Sequence, residues 1–338
     1  MNEQALNEIA RAMVAPGKGL LAADESTGTI AKRFKSINVE NTEANRQTYR
    51  DMLFTTPGFE QHTSGVILFE ETLYQKGLDG RLFTELLQSK GVIPGIKVDK
   101  GAKPLPGGMP DETITEGLDG LRERLADYYK AGARFAKWRA VIAIGNGAPS
   151  HNAIHTNAHA LARYAALCQE AGIVPIVEPE VLMDGDHDVQ TCENVTSWIL
   201  QETFTELFYQ KVRLEGMVLK PNMVVSGMKC PQQAGVSEVA ERTVRLLKRF
   251  VPAAVPGIAF LSGGQSDQLA TAHLDAMNKI GGLPWQLTFS YGRALQAAAL
   301  KAWSGKNADA GRAAHLHRAK MNGLAAVGKW NQSLEKAA

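Results

Sequence analysis

Cysteine is scarce in this chain: three in 338 residues, Cys168, Cys192 and Cys230. They are widely spaced and odd in number, without a Cys-x-x-Cys pair. A disulfide framework and a thiolate zinc site are therefore not expected, and the usage reads as a reducing, cytoplasmic setting. A surplus of one charge is also lacking, because 37 Lys and Arg face 35 Asp and Glu for a net +2. That balance provides no basic stripe for nucleic acid. No apolar run reaches the length of a bilayer span. The start, Met1-Asn-Glu-Gln4, has neither the basic end nor the apolar core of a secretory leader. Neither nucleic acid nor a membrane is an expected partner, and the Asn-x-Thr and Asn-x-Ser sequences at Asn194 and Asn331 are read as chance matches. No low-complexity stretch, charge run or linker divides the chain. No Gly-x-Gly-x-x-Gly follows the first strand and no Walker-type loop occurs, which disfavours a nucleotide-binding fold.

What is present is a rhythm. Apolar residues at helical spacing fill 2–15, ahead of Pro16-Gly17. Strand-like segments then fall at 20–24, 65–70, 94–99, 135–141, 174–180, 217–222, 257–263 and 287–292. Helical patterns separate them, at 29–34, 45–54, 82–89, 118–131, 155–170, 189–209, 237–250, 267–279 and 294–303. The Gly/Pro-rich stretch 101–110 reads as a loop. The strands are apolar without strict alternation, as parallel strands covered on both faces should be. Eight such units fit a closed (β/α)8 TIM barrel better than an open sheet. The expected organisation is one domain over 1–338, with an extra helix in 1–16 and a helical extension over about 305–338.

In such barrels the chemistry sits at the C-terminal ends of the strands. Charged residues gather at those ends here: Asp24, Lys97 with Asp99, Lys137 with Arg139, Glu178 with Glu180, Lys220, and Arg293. Two-residue periodicity puts Lys137 with Arg139, and Glu178 with Glu180, on common faces. Charges from so many strands at one rim are hard to explain as packing. Lys220 stands out because it ends the apolar run Met217-Val-Leu219 and precedes Pro221, which cannot continue a ladder. A buried lysine must be paired or neutralised, and a neutral amine attacks carbonyl carbon. Lys137 beside it would disfavour its protonated form, and a carboxylate such as Glu178 could carry protons during addition and dehydration. Asp24, arriving from across the barrel, could take a proton from a substrate hydroxyl. Ser262-Gly-Gly264 and the helix opened by Arg293 offer backbone N–H groups to an anion.

These residues belong to longer segments that closely resemble class I fructose-bisphosphate aldolases, the metal-independent Schiff-base type. The segments are Leu21-Ala-Ala-Asp-Glu-Ser-Thr-Gly28, Gly95-Ile-Lys-Val-Asp-Lys-Gly101, Phe135-Ala-Lys-Trp-Arg139 and Val174-Pro-Ile-Val-Glu-Pro-Glu180. Asp184-Gly-Asp-His-Asp188, Leu219-Lys-Pro-Asn-Met223, Leu261-Ser-Gly-Gly-Gln265 and Phe289-Ser-Tyr-Gly-Arg-Ala-Leu295 continue the series. The resemblance spans roughly Gly17 to Trp330. It implies reversible cleavage of fructose 1,6-bisphosphate to dihydroxyacetone phosphate and glyceraldehyde 3-phosphate, with no cofactor, no metal and a homotetrameric assembly. It makes Lys220 the imine-forming lysine, Glu178 the acid and base of the carbinolamine steps, and Asp24 the acceptor of the C4 hydroxyl proton. Lys137 and Glu180 then balance charge. Ser262, Gly263, Ser290, Gly292 and Arg293 resemble a pocket for one phosphate. Ser26, Thr29 and Lys97 resemble contacts to the other, with Arg33 and Arg139 as helpers.

One departure concerns the end of the chain. Family members close on a tail whose final tyrosine assists proton exchange on the enamine, whereas the last tyrosine here is Tyr291. Removal of the residues after Trp330 is therefore expected to leave turnover largely intact. Against a metal-dependent mechanism, His151, His155 and His159 are read as one solvated helix face. The cluster Asp184, Asp186 and Asp188 lacks the later glutamate of a calcium loop and is read as a turn or cap. Another Schiff-base barrel, such as a transaldolase or a deoxyribose-phosphate aldolase, is the competing enzyme. A non-enzymatic scaffold is disfavoured because Lys220, Glu178 and Asp24 are all present.

Overall fold

Eight parallel strands close into a barrel in the computed structural model, which describes residues 2–336. They are β1 (Gly19–Ala23), β2 (Thr63–Leu68), β3 (Ile93–Lys97), β4 (Phe135–Ile142), β5 (Val174–Val181), β6 (Val218–Leu219), β7 (Gly257–Phe260) and β8 (Gln286–Tyr291). Each pairs with its sequence neighbours, and β8 pairs back onto β1 through Leu20–Ser290 and Leu21–Tyr291. The expected barrel is therefore the observed fold. Each strand is nearly buried throughout because helices cover the outside and side chains fill the inside. Phe135 occupies the interior so closely that a Cβ on Gly95 would stand 2.2 Å from its ring. Glycine is the residue that fits there.

The helices are α1 (Glu3–Met13), α2 (Thr27–Lys35), α3 (Glu43–Thr55), α4 (Glu70–Tyr74), α5 (Phe83–Ser89) and α6 (Leu121–Lys130). They continue with α7 (His151–Glu170), α8 (Val189–Tyr209), α9 (Val236–Phe250), α10 (Asp267–Ile280), α11 (Arg293–Trp303) and α12 (Ala308–Ala325). Their starts follow cap chemistry: Asn2, Ser26, Thr42, Ser150, Asp188, Ser266 and Asn307 each accept from the N–H three residues on. The extra helix α1 packs Leu6, Ala10 and Met13 with Leu20, Phe135, Val174, Val218 and Ala259 of the barrel interior, and so plugs its lower end. Behind the barrel, α12 and a 3-10 turn at Gln332–Lys336 form the expected extension. Met1 and residues 337–338 of the expected outline lie outside the described residues. The three cysteines are free and buried, and among the described residues no helix is long and apolar enough to cross a membrane.

Several segments differ from the sequence expectation, among them the unforeseen helix α4 at Glu70–Tyr74, and two of them shape the site. The sixth strand is only Val218–Leu219, where 217–222 was expected. Pro221 has no N–H for the ladder, and the Asn222 carboxamide takes over by accepting from the Val181 N–H at 3.0 Å. The Gly/Pro-rich loop after β3 contains an antiparallel hairpin, Ala102–Pro104 with Thr113–Thr115. Thr115 ties it to β4 by donating to the Arg139 carbonyl at 2.7 Å. Strands of three residues are too short to show periodicity.

Candidate active site

The C-terminal ends of the strands surround a cavity of about 420 Å³. Alternation along β4 brings Lys137, Arg139 and Val141 to its wall, while Trp138 between them turns outward and stacks on Tyr164 of α7 at 5.6 Å. The neighbouring β5 presents Glu178 and Glu180, in register with Arg139 and Val141. Lys220 follows β6 and keeps its backbone N–H on the Val177 carbonyl at 2.8 Å. The strand-end lysine is thus held in the barrel mouth by its own main chain.

At the centre, Glu178 is shared between two lysines. Its Oε1 lies 3.1 Å from Lys220 Nζ and its Oε2 lies 3.6 Å from Lys137 Nζ. Lys137 also reaches Asp24 Oδ2 at 2.8 Å and Asp99 Oδ2 at 3.9 Å. The side chains of Lys220, Lys137 and Glu178 are nearly fully buried. Burial by itself would push the Lys137 ammonium toward its neutral form, but Asp24, Glu178 and Asp99 outweigh it and hold the group protonated, well above the usual lysine range. Burial likewise raises the Asp24 carboxyl. Lys137, then Lys220 and Lys97, reverse that and keep it ionised well below the carboxylate range. Lys137 is therefore a fixed positive charge beside Lys220. Glu178 Oε2 is buried and accepts no hydrogen bond in this arrangement, with the Lys137 ammonium at 3.6 Å as its charged neighbour.

Helix starts border the cavity on two sides. On one side Ser26 caps α2, with its hydroxyl 3.1 Å from that of Thr29, and both line the wall together with Lys97. The Lys97 ammonium sits 5.2 Å over the Phe69 ring. Arg33 lines this side too and pairs with Glu25. Next along the rim, past the β1–β8 pairing, lie Gly292 at the start of α11, where a Cβ would stand 3.6 Å from Arg33, then Ser290 in β8, and Ser262 and Gly263 after β7. Gly263 has φ +47°, and a Cβ there would come within 2.2 Å of Met183 Cε, so glycine alone gives this turn its shape. Arg139 pairs through Nε with Glu180.

All the expected site residues line the cavity except Arg293. Its guanidinium donates to the carbonyls of Gly263, at 2.9 Å, and Gln265, at 3.2 Å. In this conformation it braces the loop that carries Ser262 and Gly263 from outside. Sequence reasoning missed Glu25, a buried carboxylate on the wall. It gathers Arg33, Arg50 at 3.6 Å and the Gln296 carboxamide at 2.8 Å. Its place between Asp24 and Ser26 was the available signal. Asp99 was noted at its strand end without a role, and its contact with Lys137 supplies one. Thr115, from the unforeseen hairpin, also borders the cavity.

The donors at the centre are carboxylates matched to ammonium groups, the composition of a proton-transfer site. His151, His155 and His159 lie on the outer helix α7, away from this wall. The aspartate cluster has the expected cap role at Asp188, which accepts from the Thr191 N–H at 2.8 Å and starts α8.

Comparison with known proteins agrees with this geometry. A family described as fructose-bisphosphate aldolase class-I matches residues 5–338. A probable fructose-bisphosphate aldolase class 1 of Xanthomonas campestris is 60% identical over 334 residues, covering 98% of this chain and 99% of that protein. The cytosolic fructose-bisphosphate aldolase 4 of Arabidopsis thaliana is 58% identical over 93% of this chain and 80% of its own length. A solved fructose-bisphosphate aldolase of Plasmodium falciparum, crystallised with TRAP and a small-molecule inhibitor, superposes with a TM-score of 0.95 at 50% identity, over 97% of this chain and 95% of that one. With the barrel, the buried lysine pair and these relatives in agreement, the chain belongs to the class-I fructose-bisphosphate aldolase family.

Proposed function

We propose that this chain cleaves fructose 1,6-bisphosphate reversibly to dihydroxyacetone phosphate and glyceraldehyde 3-phosphate, through an imine on Lys220. The observation that carries the assignment of roles is the sharing of Glu178 between Lys220 and Lys137 inside a closed rim. Glu178 takes the proton that the Lys220 amine sheds as it attacks C2. It returns a proton to the departing hydroxyl, giving the iminium. Asp24, kept ionised by Lys137, accepts the C4 hydroxyl proton. The C3–C4 bond then breaks, and its electrons pass to the iminium to form an enamine. The contact that keeps Asp24 ionised also makes it a weak base, so the proton moves as the Lys137 contact loosens. The α2 end, with Ser26, Thr29, Lys97 and Arg33, receives one phosphate, and Ser262, Gly263, Ser290 and Gly292 receive the other. Arg139 and Glu180 close the wall between them, and Arg293 keeps the second cradle in shape.

Borohydride reduction in the presence of dihydroxyacetone phosphate tests this directly. Inactivation should require the triose phosphate, persist in chelator, and place one reduced adduct on the peptide that contains Lys220. An adduct on any other lysine refutes the mechanism. Turnover of two-phosphate against one-phosphate ketoses separates the bisphosphate reading from the transaldolase and deoxyribose-phosphate aldolase readings.

Three wider features belong to the same proposal. Residues 1–338 act as one domain, since α1 and α12 pack on the barrel itself. The cytoplasm suits the free, buried cysteines. A tetramer would cover apolar surface such as Phe208, 77% exposed, and Tyr209, 66% exposed, at the end of α8. Sedimentation velocity measures the assembly.

A further inference from the structure

His151, His155 and His159 take no part in the chemistry above, and the solvated face expected of them is only partly what the structure shows. They recur every fourth residue on α7 and stack, with ring centroids 5.8 and 6.3 Å apart. Helix α8 runs parallel beside them, and each turn of α7 meets one turn of α8. His151 faces Trp198 at 6.4 Å. His155 Nδ1 is 2.8 Å from Glu202 Oε1 and 3.6 Å from Glu206 Oε1. His159 Nδ1 is 2.9 Å from Glu206 Oε2.

The charge arrangement at this place is unusual for the molecule. Other carboxylates buried as deeply are either matched with permanent cations, as Glu193 is with Arg242 and Arg245, Glu178 with two lysines and Glu25 with two arginines, or satisfied by backbone N–H groups, as Asp51 and Glu112 are; among the described residues Glu206 has neither. Glu206 is just as buried, with a side chain 7% exposed, and Glu202 lies beside it. Among the described residues, neither glutamate pairs with a lysine or an arginine. Arg163, one turn further along the same face of α7, is exposed and forms no ion pair with either. Two adjacent carboxylates facing only imidazoles lack a fixed positive charge.

Geometry and donor type indicate what supplies it. One ligand atom from each of His155, Glu202 and Glu206 can be drawn from a set lying within 4.8 Å of one another. The two separations at His155 Nδ1, 2.8 and 3.6 Å, bracket the roughly 3.4 Å between ligand atoms held about 2.1 Å from a tetrahedral zinc ion. Small side-chain rotations would admit an ion, with no change of backbone. One imidazole nitrogen and two carboxylates suit a borderline divalent ion better than calcium or magnesium, which take oxygen alone.

We propose that His155, Glu202 and Glu206 bind one divalent transition-metal ion of the zinc type, with His159 holding the second oxygen of Glu206 in place. The ion braces α7 against α8 on the outer layer. None of these residues lines the catalytic cavity, so the site is structural and the imine chemistry stays metal-independent.

The test is calorimetric titration of chelator-treated full-length protein with Zn²⁺, in parallel with Co²⁺ followed by its visible absorption. The expected result is one ion per chain, a raised thermal unfolding midpoint and unchanged cleavage rate. His155→Asn and Glu202→Gln change side chains that reach the surface, so folding is retained and is verified by circular dichroism and by activity. Each should weaken binding by roughly 100-fold, as loss of a ligand exceeds the 10–100-fold range of supporting contacts. Failure of the parent protein to bind one equivalent at micromolar Zn²⁺ overturns the proposal. So does unchanged binding in both variants, which would move the ion to other residues.

Discussion

Replacing Lys137 by methionine tests the electrostatic core of the site most sharply. The side chain is 6% exposed and touches Asp24, Glu178 and Asp99, three carboxylates of which only Glu178 then keeps a close nitrogen partner, Lys220. Methionine fills much the same space without the charge, so the change leaves buried, uncompensated anions. Breaking a buried pair in this way lowers stability by about 3–5 kcal/mol. The direction with pH follows from the shifts. In the parent, Asp24 is held well below its ordinary value, so its stabilising contribution is complete above that value and fades only in strong acid. In the variant, burial, the largest influence on Asp24, loses its strongest opponent, and the folded-state value climbs. Protonation then relieves the buried charge, so the deficit relative to the parent should be larger at pH 8 than at pH 5. Asp24 and Glu178 also lose the cation that orients them, and turnover should fall by about 10²–10⁴-fold, the usual worth of positioned acid–base groups. Urea unfolding at the two pH values and the pH profile of kcat/KM measure both effects. Lys137→Arg, which retains the charge, should recover stability more fully than rate. If Lys137→Met unfolds within about 1 kcal/mol of the parent and keeps turnover within ten-fold, Lys137 is not the cation that organises the site.

Other perturbations have equally definite outcomes. Burial pushes His315 and His273 down to about 4. Against an ordinary 6.5, at 1.36 kcal/mol per unit, each contributes about 3 kcal/mol that is complete above pH 6.5 and lost as the pH falls toward 4. Urea titrations should show steep loss of stability across that window, and His315→Phe should flatten it. Gly263→Ala forces a side chain into a left-handed turn against Met183. Steady-state kinetics should show KM for the bisphosphate raised by roughly ten-fold, with stability lowered by about 1–2 kcal/mol. Truncation after Trp330 removes Glu335, which pairs with buried Arg318 and accepts from Trp330 Nε1 at 3.0 Å. The melting temperature should drop, reflecting about 1–3 kcal/mol for the loss of the Glu335 contacts to Arg318 and Trp330. Cleavage and enamine proton exchange should survive, since none of 331–336 borders the cavity. A large loss of proton exchange in that truncation would show that the tail does take part.

The alternation of strand and helix is a local property. Period-two and period-3.6 patterns, caps and breakers therefore delivered eight strands, their helices and the barrel from the residues themselves. The side on which Lys137, Arg139, Glu178 and Glu180 project was legible for the same reason, because a strand's faces are fixed two residues at a time. Contacts between strands that are not neighbours were not legible. The Asp24–Lys137 contact spans the barrel from β1 to β4 and depends on strand tilt and interior packing. The choice of Glu178 as the carboxylate common to both lysines depends on the register of β4, β5 and β6. The same limit explains Arg293, whose sequence position suggested the cavity, while the loop carbonyls of Gly263 and Gln265 hold its guanidinium outside. It also explains the histidines of α7. Their common face was plain from their spacing, but Glu202 and Glu206 meet them only because α7 and α8 pack side by side in matching register. The sequence by itself pointed to the charged residues proposed to carry the chemistry and to the end of the barrel they occupy. The tertiary structure alone decided which charges meet, because pairing energies fall off over a few ångströms and those separations are set by packing between segments distant in the chain.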